Sequence, residues 1–221
     1  MMRFKAVAFL LGVLSVWAVV RVDILSQKLA TIEPTSHNEV ISRTEYDIDH
    51  DGVDETIEVV LVEGCRYHDA ILWAGMGEKW EGSFHIRVRR GRTLLHRQSL
   101  NELMFTSPQG SHSLFFWTPK FPLVLEDYND DGQIDFNLGQ YRASNWNDYQ
   151  LFTIKPNGKI ARLPGGKHLV SAGHANSTDK ILLADGQVGF SYYSQESGNY
   201  LTAWYLWDGE QFVFVNHEPT G

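Results

Sequence analysis

A single cysteine, Cys65, stands in a chain of 221 residues. It rules out an intrachain disulfide framework and any thiolate-held metal cluster, and as a lone thiol it reads as a small core residue. Basic residues are scarce, 19 against 27 acidic ones, leaving a formal charge of -8. A nucleic-acid partner requires a basic footprint to neutralise phosphates, so that class is set aside, and an acidic chain draws cations instead. Helical periodicity is almost missing. Beyond the N-terminal segment only one turn, around Leu100 to Phe105, carries it, which argues against βαβ units and a parallel sheet. Catalytic signatures are missing too: the nine histidines form no His-Glu-x-x-His and no zinc-spaced pair, and there is no Gly-x-Ser-x-Gly elbow or phosphate-cradling glycine loop. Gly173-His174 beside Ser171 and Ser177 fits no triad spacing. The reading is therefore non-enzymatic.

What is present begins with an export segment. Arg3 and Lys5 precede an apolar and small-residue run from Ala6 to Val20, closed by Arg21. Residues 1–25 read as a signal peptide or an N-terminal membrane anchor, since the run is short of the roughly 20 residues that span a bilayer while the cleavage site, best after Ala18, is poorly defined. Either form places the rest of the chain outside the cytoplasm, secreted or extracytoplasmic, with membrane attachment through residues 6–20 in the second case. Residues 26–44 are polar and aperiodic and read as a linker, and residues 45–221 as the folded domain.

Within that domain aromatics are dense, with seven Trp and nine Tyr, and they come in short bursts separated by turn residues rather than at helical spacing. Asp51-Gly52, Arg90-Gly91, Asp131-Gly132, Asn157-Gly158, Asp185-Gly186, Ser197-Gly198-Asn199 and Asp208-Gly209 each lie between apolar runs. The runs predict strands at 56–62, 70–73, 83–89, 93–96, 113–117, 123–126, 134–138, 149–154, 160–163, 181–184, 187–193, 200–207 and 212–215. The expected fold is an all-β antiparallel meander, forming a sandwich or a small propeller-like domain, behind the hydrophobic export helix.

Two segments repeat one pattern: Asp47-Ile-Asp-His-Asp-Gly-Val-Asp-Glu55 and Asp127-Tyr-Asn-Asp-Asp-Gly-Gln-Ile-Asp135. Calcium takes six to eight oxygen ligands, and alternating short acidic side chains around a glycine turn supply them from one loop. In the first loop the candidates are Asp47, Asp49, Asp51, the carbonyl of Val53, and Glu55. In the second they are Asp127, Asn129, Asp131, Gln133 and Asp135, with Asn129 a neutral oxygen donor. Glu58 falls where a twelfth-position carboxylate would sit in a helix-loop-helix site, but a β-branched run surrounds it and makes it a strand residue. Two matches in one chain argue for two calcium sites rather than two solvated Asp-Gly turns.

These residues resemble the calcium loops of FG-GAP and VCBS-type repeats, in which Asp-x-Asp-x-Asp-Gly-x-x-Asp leads directly into a strand. The resemblance covers two segments of about a dozen residues each. It implies that Asp47, Asp49, Asp51 and Glu55 ligate one Ca2+ and Asp127, Asn129, Asp131 and Asp135 another.

Weaker signals have bland readings beside them. Arg87, Arg89, Arg90, Arg92 and Arg97 crowd one hairpin, which suits an acidic partner or a solvated edge. Tyr192, Tyr193, Tyr200, Trp204, Tyr205 and Trp207, with Trp146 and Tyr149, suit a sugar-stacking platform or core packing. Asn176-Ser-Thr178 matches a glycosylation acceptor. Together these features point to a calcium-binding surface or extracytoplasmic module whose partner is an extracellular protein or glycan. The alternatives are an exported inhibitor of a hydrolase such as lysozyme and, further off, a calcium-dependent hydrolase.

Overall fold

The computed structural model describes residues 33–34, 38–69, 77–104, 113–143, 146–165 and 168–220. The expected export segment, most of the 26–44 stretch and the expected strand at 70–73 lie outside them. The described residues are all-β, arranged as three antiparallel sheets with one short helix. Among them, no helix is long and apolar enough to cross a membrane.

In the first sheet β2 (Glu39–Tyr46), β3 (Glu55–Asp69), β4 (Gly77–Arg90) and β5 (Thr93–Ser99) pair in succession. The short β1 (Glu33–Pro34) adds to the far end of β3, and β6 (Leu114–Trp117) to the far end of β4. The helix α1 (Leu100–Met104) follows β5 and buries Leu100 and Met104. The second sheet runs β7 (Leu125–Glu126), β8 (Asp135–Ala143), β9 (Trp146–Ile154) and β10 (Ile160–Leu163), with β11 (Leu169–Val170) also on β9. The third is a plain meander of β12 (Ile181–Ala184), β13 (Gln187–Ser194), β14 (Asn199–Trp207) and β15 (Phe212–Pro219).

Side-chain alternation decides how the sheets stack. On β3 and β4, Ile57, Val59, Leu61, Phe84, Ile86 and Val88 are fully buried in one core with Phe136 and Leu138 of β8 and Phe152 and Ile154 of β9. The opposite face of β9 gives Tyr149 and Leu151 to a second core with Val188, Phe190, Ala203, Tyr205 and Phe212 of the third sheet. The second sheet is thus buried on both faces, between the other two. Each such Phe or Leu contributes about 1.5–3 kcal/mol of transfer free energy, which makes these two cores the main source of stability.

The strand β2 of the first sheet differs from the sequence expectation. Residues 39–44, read above as linker, belong to β2, where Ile41 is fully buried. A bulge between Val40 and Ser42 puts Ile41 and Ser42 side by side in the interior and erases the two-residue alternation that announces a strand.

Candidate cation-binding loops

Both aspartate loops join two strands that follow one another in one sheet: 47–54 leads from β2 into β3, and 127–134 from β7 into β8. Their backbones agree position by position. The fourth residue is left-handed in each, His50 at φ 58° and Asp130 at φ 55°, and so is the sixth, Gly52 at φ 89° and Gly132 at φ 77°. Those two turns fold the alternating side chains inward.

The first aspartate is a clamp. Asp47 accepts from the Asp51 and Gly52 N–H groups at 3.1 and 2.8 Å, and Asp127 accepts from those of Asp131 and Gly132 at 3.2 and 2.8 Å. The fifth residue accepts from the seventh: Val53 N–H to Asp51 at 3.0 Å and Gln133 N–H to Asp131 at 2.9 Å. The ninth residue opens the next strand and receives one N–H from the second, Ile48 to Glu55 at 3.0 Å and Tyr128 to Asp135 at 2.9 Å. Ile48 and Tyr128 then anchor the loops, one in each core.

The loops part company at the cation position. In the first, Arg90 at the end of β4 lies alongside the start of β3, next to the Thr56–Arg89 pair. Its guanidinium donates to Asp49 at 2.8 Å, to Asp51 at 2.9 Å and to Glu55. Carboxylate oxygens of Asp47, Asp49 and Glu55 all come within 4.8 Å of one another, a cluster able to hold a metal ion. Three of the four expected acidic ligands of this loop are thus already bonded to an internal cation.

In the second loop the strand position facing the ninth residue is Thr153, opposite Asp135 on β9. It is short and uncharged, and among the described residues no guanidinium hydrogen-bonds or ion-pairs with the loop. Asn129 Nδ2 and Gln133 Nε2 donate to Asp131 Oδ2 at 3.1 and 2.9 Å. Asn129 Oδ1, Asp135 Oδ1 and Thr153 Oγ1 are all buried without a hydrogen-bond partner. Asp135 has no exposed surface and Asn129 keeps 9%. An unsatisfied buried acceptor costs about 1–3 kcal/mol and more when charged, so two beside an aspartate loop call for a donor or a cation.

Electrostatics separates the loops in the same way. The Arg90 guanidinium holds the Asp49 carboxyl below its ordinary value and is itself raised by Asp49 and Glu55. Burial instead pushes the Asp135 carboxyl up to about 7. The Tyr128 N–H and the Thr153 hydroxyl, which stands opposite without closing a hydrogen bond, hold it down. Asp131 and Asp127 push it further up. The oxygen donors of Asn129, Asp131 and Asp135, one neutral amide and two carboxylates, suit a hard divalent cation such as Ca2+.

The other sequence candidates go elsewhere. Glu58 is a buried strand residue bonded to Arg87 at 2.6 Å. The arginine hairpin is divided among internal partners: Arg87 takes Glu58, Arg89 the Arg92 carbonyl at 2.7 Å, Arg97 the His85 ring at 2.6 Å, and Arg90 the first loop. Of the aromatic series Tyr149 and Tyr205 are core residues, while Tyr200 is exposed. Asn176 is buried, its amide bonded to both the N–H and the carbonyl of Trp117 at 2.8 and 2.7 Å, so it has no free amide to offer a glycan. Ser171 and Ser177 serve the Tyr193 N–H and Asn137, and His174 stacks on Trp117 at 3.9 Å. Sequence reasoning missed Arg90 as a loop partner. The available signal was its place at the end of the strand antiparallel to the one that Glu55 opens.

No protein-family model matches the chain, and neither does any curated protein or solved structure.

Proposed function

We propose that the chain is an exported, non-enzymatic, calcium-stabilised β protein that works as a binding or adhesion module at the cell surface or in the extracytoplasmic space, with an extracellular protein or glycan as its partner. The observation that carries the reading is the pair of buried acceptor oxygens on Asn129 and Asp135, both in a loop of carboxylates and neither closing a hydrogen bond. The export segment at 1–25 supports the location, because calcium is abundant outside cells and a site there functions with an affinity of roughly 10⁻⁴ to 10⁻³ M. The three stacked meanders, two of them carrying an aspartate loop between consecutive strands, support a propeller-like arrangement of blades. The metal's role is structural: it ties loop to strand and neutralises crowded carboxylates.

The test is to add labelled full-length chain in mild detergent to intact cells and to immobilised glycans, in millimolar calcium and in chelator. Saturable binding lost in chelator is the expected result. Binding indifferent to calcium, or turnover of a substrate, would contradict the module reading; a stoichiometric complex with a purified hydrolase would replace it with the inhibitor.

A further inference from the structure

We infer that the two aspartate loops are not two calcium sites: Arg90 is the resident cation of the first, and the chain binds one divalent ion, in the second. The inference rests on the calcium reading of the second loop and assigns the first a different occupant.

The argument is a comparison of equivalent atoms. At position nine, Glu55 and Asp135 each spend one oxygen on the N–H of position two. The other oxygen of Glu55 meets the Arg90 guanidinium, whereas the other oxygen of Asp135 closes no hydrogen bond and has only the neutral Thr153 hydroxyl opposite it. At position three, Asp49 bonds Arg90 at 2.8 Å while Asn129 Oδ1 is buried without a partner. At position five, Asp51 Oδ2 takes Arg90 at 2.9 Å, and Asp131 Oδ2 takes only the neutral amides of Asn129 and Gln133. The guanidinium marks the point where a cation sits in the first loop, within the carboxylate cluster of Asp47, Asp49 and Glu55, and at the equivalent positions of the second loop Asn129 Oδ1 and Asp135 Oδ1 are buried with no charged partner.

Backbone placement explains the division. Arg90 on β4 and Thr153 on β9 each lie on the strand paired with the one that the loop opens, beside that strand's first residue. A long cation there fills the loop from within, and a threonine leaves it open. The composition of the loops agrees. At positions one, three, five and nine the first loop carries four carboxylates against one guanidinium, while the second carries three carboxylates and the neutral Asn129. A divalent ion entering the first loop must displace a guanidinium from three carboxylates, one of them buried, and leave that charge beside the metal. No such displacement is needed in the second.

The experiment is a calorimetric titration of the full-length chain in mild detergent with calcium chloride alone, for wild type, Asp49→Asn, Asp135→Asn and Arg90→Thr. Wild type should bind one ion per chain. Asp135→Asn should weaken it by about 10- to 100-fold or more, and Asp49→Asn should leave it within about twofold of wild type. Arg90→Thr, which makes the first loop resemble the second, should bind two ions. Should Arg90→Thr fail to fold, the Asp49→Asn and Asp135→Asn comparison in the wild-type background still decides the matter. Two ions in wild type, one removed by each Asn variant, would overturn the inference and leave the calcium reading standing, as would one ion lost in Asp49→Asn. No ion in any variant would overturn both.

Discussion

His168 lies between the second and third sheets, stacked on Phe190 at 4.4 Å and 2% exposed, with Nδ1 3.2 Å from the Tyr149 carbonyl. Burial, with a smaller push from Arg162, lowers its pKa from 6.5 to about 4 against the pull of that carbonyl. Below about 6.5 the unfolded imidazole takes a proton that the folded one refuses until about 4. This stabilising contribution is therefore complete above 6.5 and is lost as pH falls through that window, amounting to about 3 kcal/mol. Denaturant unfolding of wild type and His168→Leu at pH 7 and pH 4 should show wild type losing about that much more than the variant; the difference cancels other titrating groups, Asp135 among them. A second residue-scale case is Lys79, 3% exposed, its Nζ 5.0–5.4 Å from the rings of Tyr67, Phe115 and Trp117. Neither placement was legible in the sequence. A histidine or lysine in a strand pattern is expected on the wet face, and only the pairing of distant strands supplies the rings that cover it.

At the scale of elements, the loops were legible because calcium chemistry and turn chemistry both act over nine consecutive residues. The two share a clamp that works without metal: Asp47 and Asp127 each hold two backbone N–H groups of their own loop. Asp127→Ala should therefore cost about 1–2 kcal/mol even in chelator, as read by denaturant unfolding. A variant with no cost under those conditions would make the hydrogen bonds incidental. The strand β2 was illegible for the opposite reason, since its bulge breaks the alternation. The hairpin of β3 and β4 depends on a glycine pair the pattern did not announce. Gly64 and Gly82 face each other at φ 150° and 154°, and a Cβ on either would lie 2.1 or 2.0 Å from the opposing carbonyl oxygen of Glu81 or Glu63. Gly64→Ala should lose about 2–4 kcal/mol, because the obstruction is backbone and cannot rotate away. Thermal unfolding within about 0.5 kcal/mol of wild type would mean the two strands part there at little cost.

At the scale of the whole molecule, fold class followed from composition and turn spacing, because an antiparallel meander is built from local hairpins that the sequence spells out in order. The stacking of the sheets did not follow, since nothing local says that Phe152 and Ile154 face one core while Tyr149 and Leu151 face the other. The two loops sit on this frame in equivalent places, yet their surroundings differ. Glu55 shares its strand face with Ile57 toward the first core, and Asp135 points to the other side of its sheet from Phe136. An ion in the second loop would therefore tie β8 to the loop anchored by Tyr128 in the second core. The measurement that tests this account most directly is a thermal melt of the full-length chain with excess calcium and with chelator, for wild type and Asp135→Asn. At 100 times its dissociation constant, one ion adds about 2.7 kcal/mol, or roughly 5–10 °C for a chain of this size. The account predicts that rise in wild type and its loss in Asp135→Asn; the same melting temperature for wild type in both conditions would contradict it.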